Sequence, residues 1–545
     1  SPTCIFQPSS CAECHDEPSD ARKSPVGRDF ESKFHGGDCV IASVRRLNMS
    51  FSVRHLAIAC LLSTSATGRI GQVARPVPAT GPALQSTINL RACEVPTIVG
   101  GGRCGSYDVY ENRSTRTGRR IGLNVLVIPA LGTNPAPDPV FWLEGGPGGA
   151  ATQAAGPVTQ NYFGGLRQDH DLVFVDARGT GQSNPLRCDD IGESPSNLDR
   201  YFGALFPVAL IRECKEKLEE VADLTQYTTS IVVDDLDDVR NALGYPQVNL
   251  AGASYGTLTA LAYMRQHPDR VRSAFLIGVV SPDFRLPLPF ARAAQNALTR
   301  LLDACAAESA CHSAFPNLSQ EFDAVLARFE RGTLTVTMRD PVTSQPRPVA
   351  LERESYVEHL RALLYSTMGA RFVPLVVHRA FLDDFVPFQT LAVRYNLGGP
   401  STARGAYFSM TCAEAAPFVS EAEIEAQTRD TFLGDRRLRA HLAACSDWPK
   451  GDVPRTFIEP VRSTIPVVMF SGDADGSTPP WIAADAVRYL PNGRQIVAPR
   501  TGHQIDGPCT WDLMQAFVRA PSPQSLNASC IGRAQRPPFV FELPQ

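Results

Sequence analysis

Gly252-Ala253-Ser254-Tyr255-Gly256 lies between a short β-prone run, Gln247-Val248-Asn249-Leu250-Ala251, and a run of helix formers, Thr257-Leu258-Thr259-Ala260-Leu261-Ala262-Tyr263-Met264. A Gly-x-Ser-x-Gly at a strand-to-helix junction predicts a nucleophile elbow. The turn is so tight that the serine takes a strained backbone, and small neighbours are needed to avoid collision. Its hydroxyl then stands exposed, with the following helix N-terminus directed at any negative charge that develops nearby. The five letters alone recur by chance in long chains. What gives them meaning is the order of elements around them.

On both sides of the elbow, strands and helices alternate as an α/β sheet requires. Arg120 to Leu131 alternates apolar and polar residues like an edge strand. Pro139 to Leu143 reads as a short buried strand and runs into Glu144-Gly145-Gly146-Pro147-Gly148-Gly149. Asp171 to Val175 reads as another, ending in Asp176-Ala177-Arg178-Gly179-Thr180-Gly181-Gln182-Ser183. Ile231 to Leu243 has helical spacing, and Arg272 to Val280 is a further buried run. The sheet pattern then stops. Pro282 to Glu459 is mostly helix-like, with a hairpin expected at Leu334–Leu351 around Asp340-Pro341. Strand patterns resume at Thr464 to Phe470 and Arg494 to Ala498, with helices from Pro480 to Leu490 and Thr510 to Arg519. The expected architecture is an α/β-hydrolase sheet flanked by helices, with a large, mostly helical cap inserted before the strand that precedes the catalytic aspartate. The expected divisions are 88–281 for the first part of the core, 282–459 for the cap and 460–545 for the second part.

A serine hydroxyl is a poor nucleophile until a histidine takes its proton and an acid holds that histidine in the right tautomer. In this architecture the chain order is Ser, acid, His, the last two on loops after successive strands. Val467-Val468-Met469-Phe470 leads into Ser471-Gly472-Asp473-Ala474-Asp475-Gly476-Ser477-Thr478-Pro479. The strand ending at Val497-Ala498 leads into Pro499-Arg500-Thr501-Gly502-His503. These give Ser254 and His503 as nucleophile and base. Asp475, deeper in its loop, is the favoured acid, with Asp473 as the alternative that would cap the loop locally. The oxyanion hole needs two backbone N–H donors. Tyr255 should supply one and Gly146 the other, with Gly145 second. Neither a Gly-Lys-Ser/Thr ending nor a dinucleotide glycine pattern occurs in the glycine loop, and no cofactor is expected.

The chain has 545 residues, too long for one compact core, so an inserted or second domain is expected. A net charge of −4 and a pI near 6.2 offer no electrostatic case for nucleic acid or an anionic membrane. No apolar run reaches membrane-spanning length. Fifteen cysteines are many for a cytosolic enzyme. From residue 90 onward they fall into close couples, Cys93/Cys104, Cys188/Cys214, Cys305/Cys311, Cys412/Cys445 and Cys509/Cys530, none at metal-like spacing. Five local disulfides in an oxidising compartment are the economical reading, with scattered buried thiols as the alternative.

Met49 to Gly68 reads as a secretory signal: a start Met, basic Arg54-His55, an apolar stretch from Leu56 to Leu62, and small Ser65-Ala66. A secreted or periplasmic enzyme is expected. A lipoprotein reading with acylated Cys60 is weaker, because Ala57 replaces the usual Leu. Residues 1–48 then read as an upstream extension, and 69–87, with Pro76, Pro78 and Pro82, as a linker. Cys11-Ala12-Glu13-Cys14-His15 matches covalent haem attachment, but it precedes the export signal, and no haem-sized domain surrounds it.

The combination GGPGG, DARGTGQS, GASYG, GDADGSTPP and the final TGH resembles the proline iminopeptidase and tripeptidyl aminopeptidase family of α/β-hydrolases. Cys104-Gly105, Cys188, Cys305/Cys311, Cys412-Ala413-Glu414, Cys445 with Trp448-Pro449 and Cys509/Cys530 resemble its secreted bacterial branch. The resemblance runs from about 88 to 540, with a TAP-like C-terminal region. It implies that the aspartate before the Thr-Pro turn, Asp475, orients the histidine. It also implies a peptide substrate whose α-ammonium meets a cap carboxylate, by position Glu414; the plainer role for Glu414 is to satisfy local backbone. Arg178 is expected to brace its loop. Glu144 stands where many members have His before GGPGG, a departure that leaves the oxyanion glycines intact. The implied activity is a serine exopeptidase acting on free N-termini, with a carboxylesterase or amidase using the same triad as the alternative.

Overall fold

The computed structural model describes residues 87–188, 191, 194–396 and 402–543. The expected extension, signal and haem-attachment pattern lie outside them. Runs that are buried along their whole length belong in a sheet covered on both faces. Three such runs are β4 (Val140–Leu143), β5 (Leu172–Val175) and β10 (Val467–Gly472). With β1 (Arg91–Cys93), β2 (Gly102–Tyr110), β3 (Arg120–Ile128), β6 (Val248–Ala253), β7 (Val271–Ile277) and β11 (Gly493–Ala498), they form a nine-stranded sheet. Its order is β1-β2-β3-β5-β4-β6-β7-β10-β11. Pairing is antiparallel from β1 to β5 and parallel from β5 to β11.

Successive strand residues point to opposite faces. Phe141 and Leu143 join Val125, Val173 and Leu250 in one core, under helices Thr229–Ala242 and Tyr255–Gln266. Val140 and Trp142 join Phe174, Ala251 and Phe275 in the other, under helices Ala151–Val158 and Pro508–Arg519. One expectation about the antiparallel end needs correction. β3 is not an edge strand: β2 and β5 flank it. Its alternation arises because β5 pairs only with Val125–Ile128, so Arg120–Asn124 has a single neighbour in the sheet. β1 and β2 carry glycines and polar residues and had no strand-like pattern. They are joined across their ladder by the Cys93–Cys104 disulfide.

Between β7 and β10 the chain is mostly helical, interrupted by the hairpin of β8 (Leu334–Arg339) and β9 (Pro346–Leu351). Much of this segment has a core of its own, including Leu298, Leu360, Val376 and Phe388. Its last part differs. Ala406, Phe408 and Cys412 of helix Arg404–Glu414, with Trp448, pack into the core of the main sheet. Disulfides join all five expected couples, Cys93–Cys104, Cys188–Cys214, Cys305–Cys311, Cys412–Cys445 and Cys509–Cys530. Such bonds persist in an oxidising compartment. Among the described residues, no single helix is long and apolar enough to cross a membrane.

Candidate active site

The parallel register aligns the C-terminal ends of five strands. Leu143 pairs with Gly252, Ala253 with Ile277, Ile277 with Phe470, and Gly472 with Ala498. Loops leaving this edge therefore converge, the usual position for a site on such a sheet. Ser254 follows β6 directly, with φ 53° and ψ −125°, and Tyr255 begins the helix. A β-carbon-bearing residue rarely holds a positive φ unless its surroundings enforce it. Here the enforcement is visible. Ser254 N donates to Ile277 O at 2.8 Å, and Thr257 Oγ1 donates to Ser254 O at 2.6 Å. Gly256 is packed so closely on β4 that a Cβ would overlap the Leu143 carbonyl, and a Cβ at Gly252 would stand 2.7 Å from Gly256 O.

His503 and Asp475 meet. His503 Nδ1 lies 2.8 Å from Asp475 Oδ2, both residues being buried. Asp475 Oδ1 accepts from the N–H groups of Ser477 (2.8 Å) and Thr478 (2.9 Å), and Oδ2 accepts from Thr478 Oγ1 at 2.7 Å. Burial alone would raise this carboxyl. The His503 charge and hydrogen bond, with the Thr478 donors, outweigh that and hold it below the ordinary carboxylate range. Asp473 turns elsewhere: its Oδ2 lies 3.4 Å from Arg300 Nη1. The histidine lies close to the elbow. Gly278, directly after the residue that binds Ser254 N, faces the imidazole so closely that a Cβ there would be 2.7 Å from Cε1.

Tyr365 was not singled out in the sequence. It lines the cavity beside Ser254, its ring centroid is 4.3 Å from that of His503, and its carbonyl accepts from His503 N at 2.8 Å. Burial, first of all, pushes its hydroxyl well above the ordinary tyrosine value. A tyrosine near the end of one helix among many carries no local signal; the contact exists only through the fold. Thr478 was recognised only as part of a turn, yet its hydroxyl reaches both Asp475 and, at 2.9 Å, His503 Nδ1.

Gly146 has φ 118° and lines a cavity of about 230 Å³ together with Ser254 and Tyr365. The N–H of Gly145 is already held by Glu144 Oε1 at 3.0 Å, while Glu144 Oε2 accepts from Trp142 Nε1 at 2.7 Å. Tyr255 is the first helical residue, so its N–H has no partner one turn back within the helix. Glu414 is a correction. It does not line the cavity: it is buried behind the elbow helix, where Oε1 accepts from Thr229 N at 2.5 Å and Oε2 from Tyr255 Oη at 2.5 Å and Thr229 Oγ1 at 2.8 Å. With its oxygens engaged there, it is not positioned to meet a substrate ammonium. Burial raises its carboxyl to about 7, against the opposing effect of those hydrogen bonds. Arg178 is fully buried and bridges Asp235 (2.6 and 2.9 Å) to the carbonyls of Glu111 and Gln226. It braces its loop.

A serine at a strand-to-helix elbow of a mixed sheet, with an aspartate–histidine pair at the ends of the last two strands, defines the α/β-hydrolase class. A family model described as the alpha/beta hydrolase fold matches residues 138–365, and one described as TAP-like protein matches residues 430–530. Serine protease Hip1 of Mycobacterium tuberculosis is 24% identical over 486 residues, covering 79% of this chain and 88% of that protein. Tripeptidyl aminopeptidase of Streptomyces lividans is 30% identical over 193 residues, 33% of this chain and 36% of the relative. The crystal structure of proline iminopeptidase from Mycobacterium smegmatis is 17% identical, covers 76% of this chain and 93% of that one, and has a TM-score of 0.35. The chain has the α/β-hydrolase fold and is a hydrolase, similar to proteins named as a serine protease, a tripeptidyl aminopeptidase and a proline iminopeptidase.

Proposed function

We propose that this chain is a serine peptidase that releases residues or short peptides from free N-termini through an acyl-enzyme on Ser254. The observation that carries this reading is the 2.8 Å contact of His503 Nδ1 with Asp475 Oδ2 beside a strained serine elbow. Asp475, kept ionised, fixes Nδ1 as the protonated nitrogen and leaves Nε2 to take the Ser254 proton. Ser254 Oγ attacks the scissile carbonyl, and the N–H groups of Tyr255 and Gly146 stabilise the oxyanion. Glu144 occupies the Gly145 N–H, which favours Gly146 as the loop donor. His503 returns its proton to the leaving amine, then activates water for deacylation. No cofactor enters the scheme. Residues 282–459 act as a cap over a core made of 88–281 and 460–545, and their Tyr365 and Arg361 form part of the cavity wall. Export by the segment 49–68 is consistent with the five disulfides.

The preference for a free amine rests on the names of the relatives. The position of Glu414 supports a second reading, a carboxylesterase or amidase with the same triad, because that anchor for an ammonium is absent from the cavity. One comparison separates them: chromogenic Pro- and Ala-linked amides with free and acetylated amines. An exopeptidase loses activity on acetylation, whereas an esterase or amidase keeps it. In either case Ser254→Ala should lower kcat by roughly 10⁴-fold or more with an unchanged thermal transition. Turnover retained in that variant rules out the acyl-enzyme.

A further inference from the structure

Among the described residues, the wall of the Ser254 cavity carries four guanidinium groups, Arg200, Arg361, Arg404 and Arg437, and one carboxylate, Glu358. His359 adds no charge near pH 7, since burial holds it below its ordinary value. Glu358 is shared. Its oxygens take the Arg361 fork at 2.5 and 3.0 Å, and Oε1 also meets Arg437 Nε at 3.1 Å. Arg361 completes its set on Ser477 Oγ at 3.0 Å. Arg437 does not. Among the described residues its buried Nη1 and Nε have no hydrogen-bond acceptor, the Glu358 contact being an ion pair, and its guanidinium lies 4.9 Å from the Phe290 ring centroid and 5.6 Å from that of Phe206. Aromatic faces attract a cation but do not neutralise it. The uncompensated charge is felt nearby: burial and then Arg437 push the His441 imidazole down to about 3. One carboxylate between two largely buried guanidinium groups leaves a surplus positive charge in a low-dielectric wall. An anion is the ligand that such a surplus binds most strongly.

We propose that Arg437 is a specificity-determining residue that receives a carboxylate of the substrate in the Ser254 cavity. The inference rests on the peptidase reading and narrows it to peptides with an acidic side chain, or a free α-carboxylate, within reach of the scissile bond. Phe290 and Glu358 hold the guanidinium in place, so little ordering remains to be done on binding.

The test uses the folded full chain and two matched substrate pairs, read as kcat/KM. One pair consists of peptidyl amides that differ as Glu or Gln on the acyl side; the other consists of tripeptides with a free or amidated C-terminus. Wild type should favour the carboxylate member of one pair by about tenfold or more, the scale of one charge-assisted hydrogen bond. The favoured pair identifies the source of the carboxylate. In Arg437→Gln the ratio should fall to within about twofold, with Arg437→Lys between, a charge selectivity that a merely structural role would not move. Equal rates across both pairs in the wild type, or an undiminished ratio in Arg437→Gln, overturns the assignment. Titration with glutarate, with glutaramide as the neutral control, is independent of turnover. Glutarate binding that Arg437→Gln weakens about tenfold sustains the anion site even if no peptide is cleaved, in which case the peptidase reading alone falls.

Discussion

Asp475 Oδ2 sits 2.8 Å from His503, while Asp473, two residues earlier, leans toward Arg300. The two residue types are identical, so the difference lies in what surrounds them. Asp475→Asn should reverse the tautomer preference of His503 and lower kcat by about 10⁴-fold, whereas Asp473→Asn should change it less than about threefold. Steady-state kinetics on any turned-over substrate checks both. Glu414 behaves differently. Its folded carboxyl titrates near 7, above the 4.5 of a free glutamate, so the folded state holds a proton that the unfolded chain releases earlier. Its contribution is therefore complete below about pH 4.5 and is lost as pH rises through 7, a drop of about 3 kcal/mol. Urea unfolding at pH 5, 6 and 8 should show that slope in the wild type and not in Glu414→Gln. An identical slope in the variant would assign it to other groups.

At the scale of elements, the apolar runs were legible because a strand buried on both faces has few polar positions to disguise it. β4, β5, β7, β10 and the elbow strand β6 were readable in this way. β1 and β2 were not, because their glycines and exposed polar residues lack a pattern and their place is fixed by pairing and by Cys93–Cys104. The hairpin around Asp340 was readable from its turn residues. The division at residue 459 was blurred by packing: helix Arg404–Glu414 lies between β7 and β10 in sequence, yet buries Phe408 and Cys412 in the core of the main sheet. Cys412–Cys445 ties this helix to the residue after helix Arg436–Ala444 and closes the longest of the five loops, 33 residues apart. Replacing both cysteines by Ser should cost about 3–4 kcal/mol on the chain-entropy account, measured by denaturant unfolding. A loss below about 1 kcal/mol would mean that packing alone holds the two helices together.

At the scale of the whole molecule, Ser254, Asp475 and His503 come from loops spread over 250 residues, and the parallel register brings their strand ends to one edge. The sequence by itself determined the alternation of strand and helix, the Ser–Asp–His order, the glycine loop and the disulfide couples. Each of these is written in local residue type and spacing, and each follows from short-range sterics and patterning. Only the tertiary structure decided that Asp475 rather than Asp473 meets His503, that Tyr365 packs on His503 and lines the cavity with Ser254, that Glu414 lies behind the elbow helix, and that Arg437 faces the cavity with half a counter-ion. Those outcomes depend on which distant side chains share a low-dielectric space, and charge, burial and partner count are properties of that space rather than of any stretch of chain.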